Sequence, residues 1–205
     1  MGKLEANKQQ KLTSLLNTAF NLFTTQGVAK TSIAEISQKA GIAKGTFYLY
    51  FKDKYDIRNR LISHESSKLF KNAVADLEEF SIKKDEQLGF EEKIIFIINH
   101  IVDELNSNQT LLTFISKNLS WGIFKEALTT KVASDDINFK DVYYEMINAE
   151  DISLEEPEIM LFLIVELVSS TCYSAILYKE PADIDTIKPY LFKTVRAIIR
   201  EHTIR

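Results

Sequence analysis

Between Gly27 and Ile57 the chain reads GVAKTSIAEISQKAGIAKGTFYLYFKDKYDI, and no other stretch limits the fold as tightly. Ser32 and Glu35 form a capping box, the serine placed to accept the first free N–H groups and the glutamate to reach back. They open a helix of about two turns with Ile33, Ile36 and Ala40 inward. Gly41 supplies a sharp turn, because glycine enters the left-handed region without a Cβ penalty, and Ile42 packs beneath it. A next helix is predicted from Ala43 to Phe51. Asp53 caps a fourth, with Asp56 also in its acidic first turn. Upstream, Gln9 to Gln26 carries Leu12, Leu15, Leu16, Ala19, Phe20 and Phe23 on one stripe, and Gly27 stops it. Two helices joined by a short turn containing glycine describe a helix-turn-helix.

In the third of these helices Phe47 and Phe51 stand four apart and face inward together. Thr46, Tyr48, Leu49 and Tyr50 are left around the outside. Flanked by Lys44, Lys52 and Lys54, the tyrosines suit phosphate contact, since hydroxyl and ammonium donors both serve an anionic backbone. Gly45 either lets the main chain approach a phosphate closely or eases the helix start. The net charge of −4 argues against nucleic acid, but its distribution reverses that. Residues 1–60 hold ten Lys/Arg against four Asp/Glu, and the remainder holds fifteen against twenty-five. A basic first quarter on an acidic body is expected when one end meets phosphate. Lys3, Lys8 and Lys11 either extend the basic surface as an arm or belong to a disordered start.

The run from Gly41 to Lys54, with Ala19, Phe20, Phe23, Gly27, Thr31, Ile36 and Ala40 before it, resembles the TetR/AcrR family of bacterial transcriptional repressors. The resemblance covers roughly residues 9–60. It implies an all-α fold: an N-terminal three-helix DNA-binding domain and a larger domain for ligand binding and dimerisation. It puts Ala43, Lys44, Gly45 and Thr46 at the end of the recognition helix that enters the major groove. Tyr48, Tyr50 and Lys54 match positions that contact phosphate, and Thr31 or Ser32 does so from the second helix. Leu49 cannot hydrogen-bond, so it either meets a thymine methyl or contacts nothing.

The rest of the chain also reads as helical. Three prolines and six glycines are too few to break it often, and no repeat or low-complexity tract occurs. About nine helices are expected in all, with the DNA-binding domain over 1–53 and a helical effector-binding and dimerisation domain over 54–205. Asp53 to Phe80 forms a long linking helix, and Ser81 to Gly89 is the expected loop. Helices follow near 90–106, 109–119, 121–133, 136–149 and 155–178. A last one begins near Asp185 with Pro189 in its first turn, where proline is tolerated.

The helix ending at Tyr178 is apolar nearly all round, which requires burial on two sides. One side, Phe162, Val165, Ser169, Cys172 and Ile176, is read together with Ile187, Leu191, Val195 and Ile198 of the last helix as a homodimer interface. A larger monomeric core is the other reading. Two-fold symmetry would space two recognition helices for a palindromic double-stranded operator. Phe96, His100, Phe114, Trp121, Phe124, Tyr143, Phe162 and Tyr173 combine apolar walls with polar anchors, as a site for a small apolar or aromatic effector would. An ordinary helical core has the same composition, and the acidic surplus would equally admit a lipophilic cation.

No cofactor or metal is expected. His64, His100 and His202 lack metal-ligand spacing, and neither a GxSxG nor a phosphate-binding glycine loop occurs, so an enzyme is not expected. Cys172 reads as a small core residue in a reducing cytosol. No signal peptide is apparent, and the apolar run Ile159–Val168, interrupted by Glu166, is too short to span a bilayer. The reading is therefore a cytoplasmic, effector-released repressor. A related activator, or a helical interaction module of the same fold without specific DNA binding, are the alternatives.

Overall fold

A computed structural model describes residues 3–84, 87–118, 139–150 and 152–204. Among them the chain forms nine α-helices: α1 Lys3–Thr25, α2 Ile33–Lys39, α3 Lys44–Phe47, α4 Lys54–Lys84, α5 Phe90–Ser107, α6 Gln109–Asn118, α7 Phe139–Asn148, α8 Pro157–Leu177 and α9 Ile184–His202. An isolated antiparallel bridge joins Leu154 to Thr203. The predicted 121–133 helix lies outside the described residues.

The chain divides into two compact units, and the division falls within α4, between Ser67 and Lys68. In the N-terminal unit α2 packs on α1 and α3 packs on α2. Leu15, Leu16, Ala19, Ile36, Phe47, Phe51, Ile57 and Leu61 are sealed from solvent, which follows from the apolar spacing of each helix. The helices end where glycine allows: Gly27 has φ +84 and Gly41 φ +68. At Gly41 the N–H of Ile42 reaches the Ser37 carbonyl at 2.9 Å and that of Gly41 the Gln38 carbonyl at 3.1 Å, a Schellman closure. A Cβ on Gly41 would meet nothing within 4 Å, so backbone conformation and not space selects glycine there.

In the second unit α9 packs on α8 and α5, and α5 packs on α8. Ala73 and Leu77 of α4 meet Ile97 of α5 in a core flanked by Phe70, Val74, Leu88, Phe96, Ile101 and Met146. The N-cap of α5 is Gly89, which has no side chain to offer. Glu150 substitutes from outside the helix: its carboxylate accepts from the Phe90 N–H at 2.5 Å and from Lys93 at 2.7 Å. Asp183 caps α9 through the Thr186 N–H at 2.9 Å, and these contacts lower its carboxyl pKa.

Several boundaries differ from expectation. α1 starts at Lys3 instead of near Gln9, so the lysine-rich start is helical from there. α3 stops at Phe47, and residues 48–50 continue as tight turns, with Leu49 N–H on the Thr46 carbonyl at 3.1 Å. α4 absorbs Ser81–Lys84 from the predicted loop: Glu79 pairs with Lys83 one turn on, and Lys83 and Lys84 lie where the helix dipole favours cations. Pro189 sits beyond the first turn of α9, so the helix forgoes one internal bond there.

The apolar circumference of α8 has a definite inside. Met160, Leu161, Ile164, Cys172, Ala175 and Ile176 are buried within the unit, whereas Ile159 is 50% exposed and Leu163 41%. Cys172 and Ile176 of the expected interface are therefore core residues of this unit, as are Leu191 and Val195 of α9. Phe162, Val165, Ser169, Ile187 and Ile198 are half-buried. Burial pushes the Cys172 thiol up to about 12, which leaves it protonated and inert. Among the described residues only α8 has the length and hydropathy of a membrane span, and its inner face packs within the unit.

Candidate nucleic-acid interface

Phe47 and Phe51 hold the recognition segment from beneath, their ring centroids 5.4 Å apart and both side chains sealed. That burial turns the intervening residues outward. Ala43, Lys44 and Gly45 are exposed, Tyr48 is 50% exposed and Leu49 82%, while Thr46 is half-buried. Lys52 is exposed just beyond them. The surface therefore offers an ammonium group, a phenol and an isobutyl group within two turns.

Four polar side chains brace this segment and the helices beneath it. Ser14 of α1 donates to the Ala40 carbonyl at 3.1 Å. Gln26 donates to Glu35 at 2.9 Å and to the Thr31 hydroxyl at 3.3 Å. The Tyr50 hydroxyl donates to the Lys8 carbonyl at 3.4 Å, bringing the first turns of α1 beside the segment. The Lys54 ammonium donates to the carbonyls of Ala29 and Thr31 at 3.0 and 3.2 Å.

The capping box behaves half as anticipated. Ser32 accepts from the Glu35 N–H at 3.1 Å. The Glu35 carboxylate turns mainly to Gln26 and then Lys39, which hold its pKa below the usual value, and the Ser32 N–H contributes least. α4 is capped by Asp53, which accepts from Tyr55 and Asp56 N–H groups at 2.7 and 2.9 Å.

These contacts sort the expected DNA-facing residues. Lys44, Tyr48 and Leu49 are displayed together. Ser32 is exposed but serves as a cap. Thr31 is only 2% exposed, and its hydroxyl donates to the Gly27 carbonyl at 2.9 Å, so it shapes a turn and does not face outward. Tyr50 and Lys54 are half-buried and bonded to main-chain carbonyls. Nothing in the sequence pattern announced these carbonyl partners, because main-chain acceptors carry no residue signature.

The described residues among those expected to hold an effector lie in several settings. Phe96 and His100 line a groove of about 540 Å³ with Asn72, Asp76, Asn99, Asp103, Glu104 and Ser107. His100 lies 3.0 Å from Asp76 and 3.4 Å from Glu104, between two of the carboxylates that line this groove. Phe114 is core. Tyr143 is sealed, its hydroxyl donating to the Pro157 carbonyl at 3.0 Å, and burial raises its pKa. Tyr173 pairs with Tyr178 through their hydroxyls at 3.1 Å, and Phe162 lies on α8. Trp121 and Phe124 fall outside the described residues. Among the described residues no three His, Cys, Asp or Glu side chains gather as a metal site.

Residues 15–61 match the family model for bacterial regulatory proteins, tetR family. The HTH-type transcriptional regulator AcrR of Shigella flexneri is 40% identical over 55 residues, 27% of this chain and 26% of that protein. The fatty acid metabolism regulator protein of Bacillus subtilis is 28% identical over 78 residues, 38% of this chain and 40% of that protein. The chain thus matches about a quarter to two fifths of the length of these curated relatives. Solved structures extend the likeness in fold. A tetR-family transcription regulator from Shewanella sp. PV-4 superposes with a TM-score of 0.64 at 15% identity, covering 95% of this chain and 99% of that one. FadR from Bacillus subtilis, in complex with stearoyl-CoA, gives 0.62 at 18% identity, covering 91% and 98%.

Proposed function

We propose that this chain, whose residues 15–61 match the family model for bacterial regulatory proteins, tetR family, is a sequence-specific DNA-binding transcriptional repressor. The carrying observation is the joint display of Lys44, Tyr48 and Leu49 above the buried Phe47 and Phe51. Lys44 and Tyr48 offer donors to phosphate, and Leu49 offers an apolar contact to a base edge. The cationic surplus of the first sixty residues steers DNA toward this end.

The repressor acts in the cytoplasm as a homodimer. Ile159 and Leu163, with the half-buried Phe162 and Leu167, give α8 an outward apolar face that a second copy would cover. The two-fold axis then spaces two recognition segments about 34–36 Å apart, or a multiple, on a palindromic operator. A small effector releases the complex by binding one conformation of the dimer better than the other. α4, continuous from the DNA-binding unit into the body, is the element through which we route that coupling. The stearoyl-CoA complex of FadR supports an effector with a long apolar chain, so acyl-CoA thioesters are the first class to test.

The test is a fluorescence-anisotropy titration against a duplex recovered from a randomised library by the wild-type protein, at two salt concentrations. We expect tight binding that weakens with salt and is lost on a scrambled duplex. Equal affinity for both duplexes rejects sequence-specific recognition. A complex unmoved by saturating stearoyl-CoA rejects the effector class alone.

A further inference from the structure

Two contacts pin α1 along the recognition segment, at points about 9 Å apart on the helix. The Ser14 hydroxyl donates to the Ala40 carbonyl at 3.1 Å, just before the Gly41 turn. Nearer the start of α1, the Lys8 carbonyl accepts from the Tyr50 hydroxyl at 3.4 Å, just past the end of α3. Lys11 lies midway between these points. Residues three and four apart share a face of an α-helix. Lys11 therefore sits one turn before Ser14 on the face that Ser14 turns to Ala40, and Asn7 sits one turn before Lys11.

The character of that face changes along the helix. At Ser14 it is half-buried and bonded within the unit. At Lys11 and Asn7 it is exposed, and among the described residues neither side chain has a hydrogen bond or an ion pair. Glu5, the one acidic residue of α1, is about 120° round the helix from Lys11, so Lys11 has no carboxylate beside it on its own helix. An ammonium and an amide thus stand along the edge of the segment that displays Lys44, Tyr48 and Leu49.

DNA carries a phosphate charge about every 1.7 Å of its axis, so a surface that enters one groove has phosphates along its flanks. We infer that the first turns of α1 form a second DNA contact: Lys11, with the Asn7 amide one turn away, binds the phosphate backbone flanking the groove that receives Lys44, Tyr48 and Leu49. This rests on the DNA-binding reading above. It gives the lysine-rich start of the chain a fixed contact in place of general attraction. The anchors at Lys8 and Ser14 hold the backbone of Lys11, so binding a phosphate there costs only side-chain freedom.

Salt dependence and phosphate neutralisation together test this on the recovered duplex. Each phosphate contact contributes about 0.9 to the slope of log K against log salt on B-DNA. Lys11→Gln should lower the slope by about that amount per half-site, as Lys44→Gln should. Lys84→Gln, at the exposed end of α4 in the body, should leave it unchanged. A methylphosphonate scan, in which phosphates are made neutral one at a time, separates contact from long-range attraction. Wild type should lose roughly tenfold at one flanking phosphate per half-site, in line with a charged hydrogen bond, and Lys11→Gln should lose nothing further there. Its circular dichroism should match wild type, since Lys11 is exposed. A wild-type slope in Lys11→Gln, or equal losses in both proteins at every phosphate, overturns the inference. If the variant does not fold, amine acylation of the wild-type protein read by mass spectrometry decides. DNA should then protect Lys11 and leave Lys84 reactive; a Lys11 equally reactive in free protein and complex overturns the inference. Failure to recover any duplex would sink the DNA reading itself; a recovered duplex whose affinity depends on Lys44 and not on Lys11 sinks only the α1 contact.

Discussion

The N-terminal unit and the helical body each leave large apolar side chains in the open, and the neighbours of those side chains differ. Leu49, 82% exposed, and Tyr48, 50% exposed, stand between Lys44 and Lys52. Ile159 and Leu163, at 50% and 41%, share the outer face of α8 with Phe162, Leu167 and a single carboxylate, Glu166. Apolar surface among cations fits a partner that is itself anionic with apolar patches, as a DNA groove edge is. Apolar surface with almost no charge fits another apolar protein face. The internal bracing differs in parallel. The small unit is fixed by side chains bonded to main-chain carbonyls, namely Ser14 on Ala40, Tyr50 on Lys8 and Lys54 on Ala29 and Thr31. The body adds ion pairs between distant segments, namely Arg196 and Arg200 with Glu91, Lys93 with Glu150, and Lys188 with Asp103. A unit that must present a few side chains at one angle gains from directional bonds, whereas the body rests on buried area.

The largest effect should come from Leu163→Glu. A second copy covering α8 would bury the new carboxylate without a partner, at a cost of several kcal/mol. The dimer dissociation constant should rise roughly 100-fold or more, while circular dichroism stays unchanged because the residue faces outward. Light scattering that shows an intact dimer at micromolar concentration would reject the assigned face and erase the contrast between the two exposed patches.

How much of this was legible in the sequence depends on the type of signal. Helix identity was legible, since Phe47 with Phe51 and the Leu15, Leu16, Ala19 stripe face inward as their spacing requires. Helix length was less so: Ser81–Lys84 looks polar enough for a loop, yet an i,i+4 pair and favourable cations carry α4 through it. The azimuth of α8 was not legible at all. A helix apolar all round shows no preferred side, and Cys172 and Ile176, read from the sequence as an outward face, lie buried within the unit. The same limit applies to Thr31, Tyr50 and Lys54, whose bonding partners are carbonyls that any residue could supply.

Acid offers a smaller effect that separates the units by their polar contacts. Both Glu35 and Glu91 have carboxyl pKa values below the ordinary 4.5. Glu35 is held chiefly by the neutral Gln26 amide, and Glu91 by Arg200 and then Arg196. A carboxylate lowered on folding stabilises the fold above its unfolded pKa, and that stabilisation is lost as pH falls through the folded value. Glu91→Gln should therefore destabilise the body at pH 7 and flatten the acid limb of its stability below about pH 4.5. Hydrogen exchange at α5 and α9 should report this change while α1 and α2 stay unaffected. An unchanged acid limb would mean that the arginine pairs are solvent-screened and that the body needs no ionic bracing.

The smallest effect sharpens the account of the recognition segment. Leu49 is the most exposed large apolar side chain of that segment, and it has no donor or acceptor to offer a base. Its removal should lower overall affinity by only about fourfold per half-site, because phosphate contacts carry most of the binding. What it should remove is discrimination at one base pair. A thymine C5-methyl buried against leucine is worth about 0.8 kcal/mol, or roughly fourfold. Replacing each thymine of the recovered duplex in turn by deoxyuridine deletes only that methyl. Wild type should lose roughly fourfold at one step per half-site, and Leu49→Ala should lose nothing further there. Equal losses in both proteins at every thymine would mean that Leu49 touches no base. Its exposure would then be the incidental result of Phe47 and Phe51 facing the core, and specificity would rest on Lys44 and its neighbours alone.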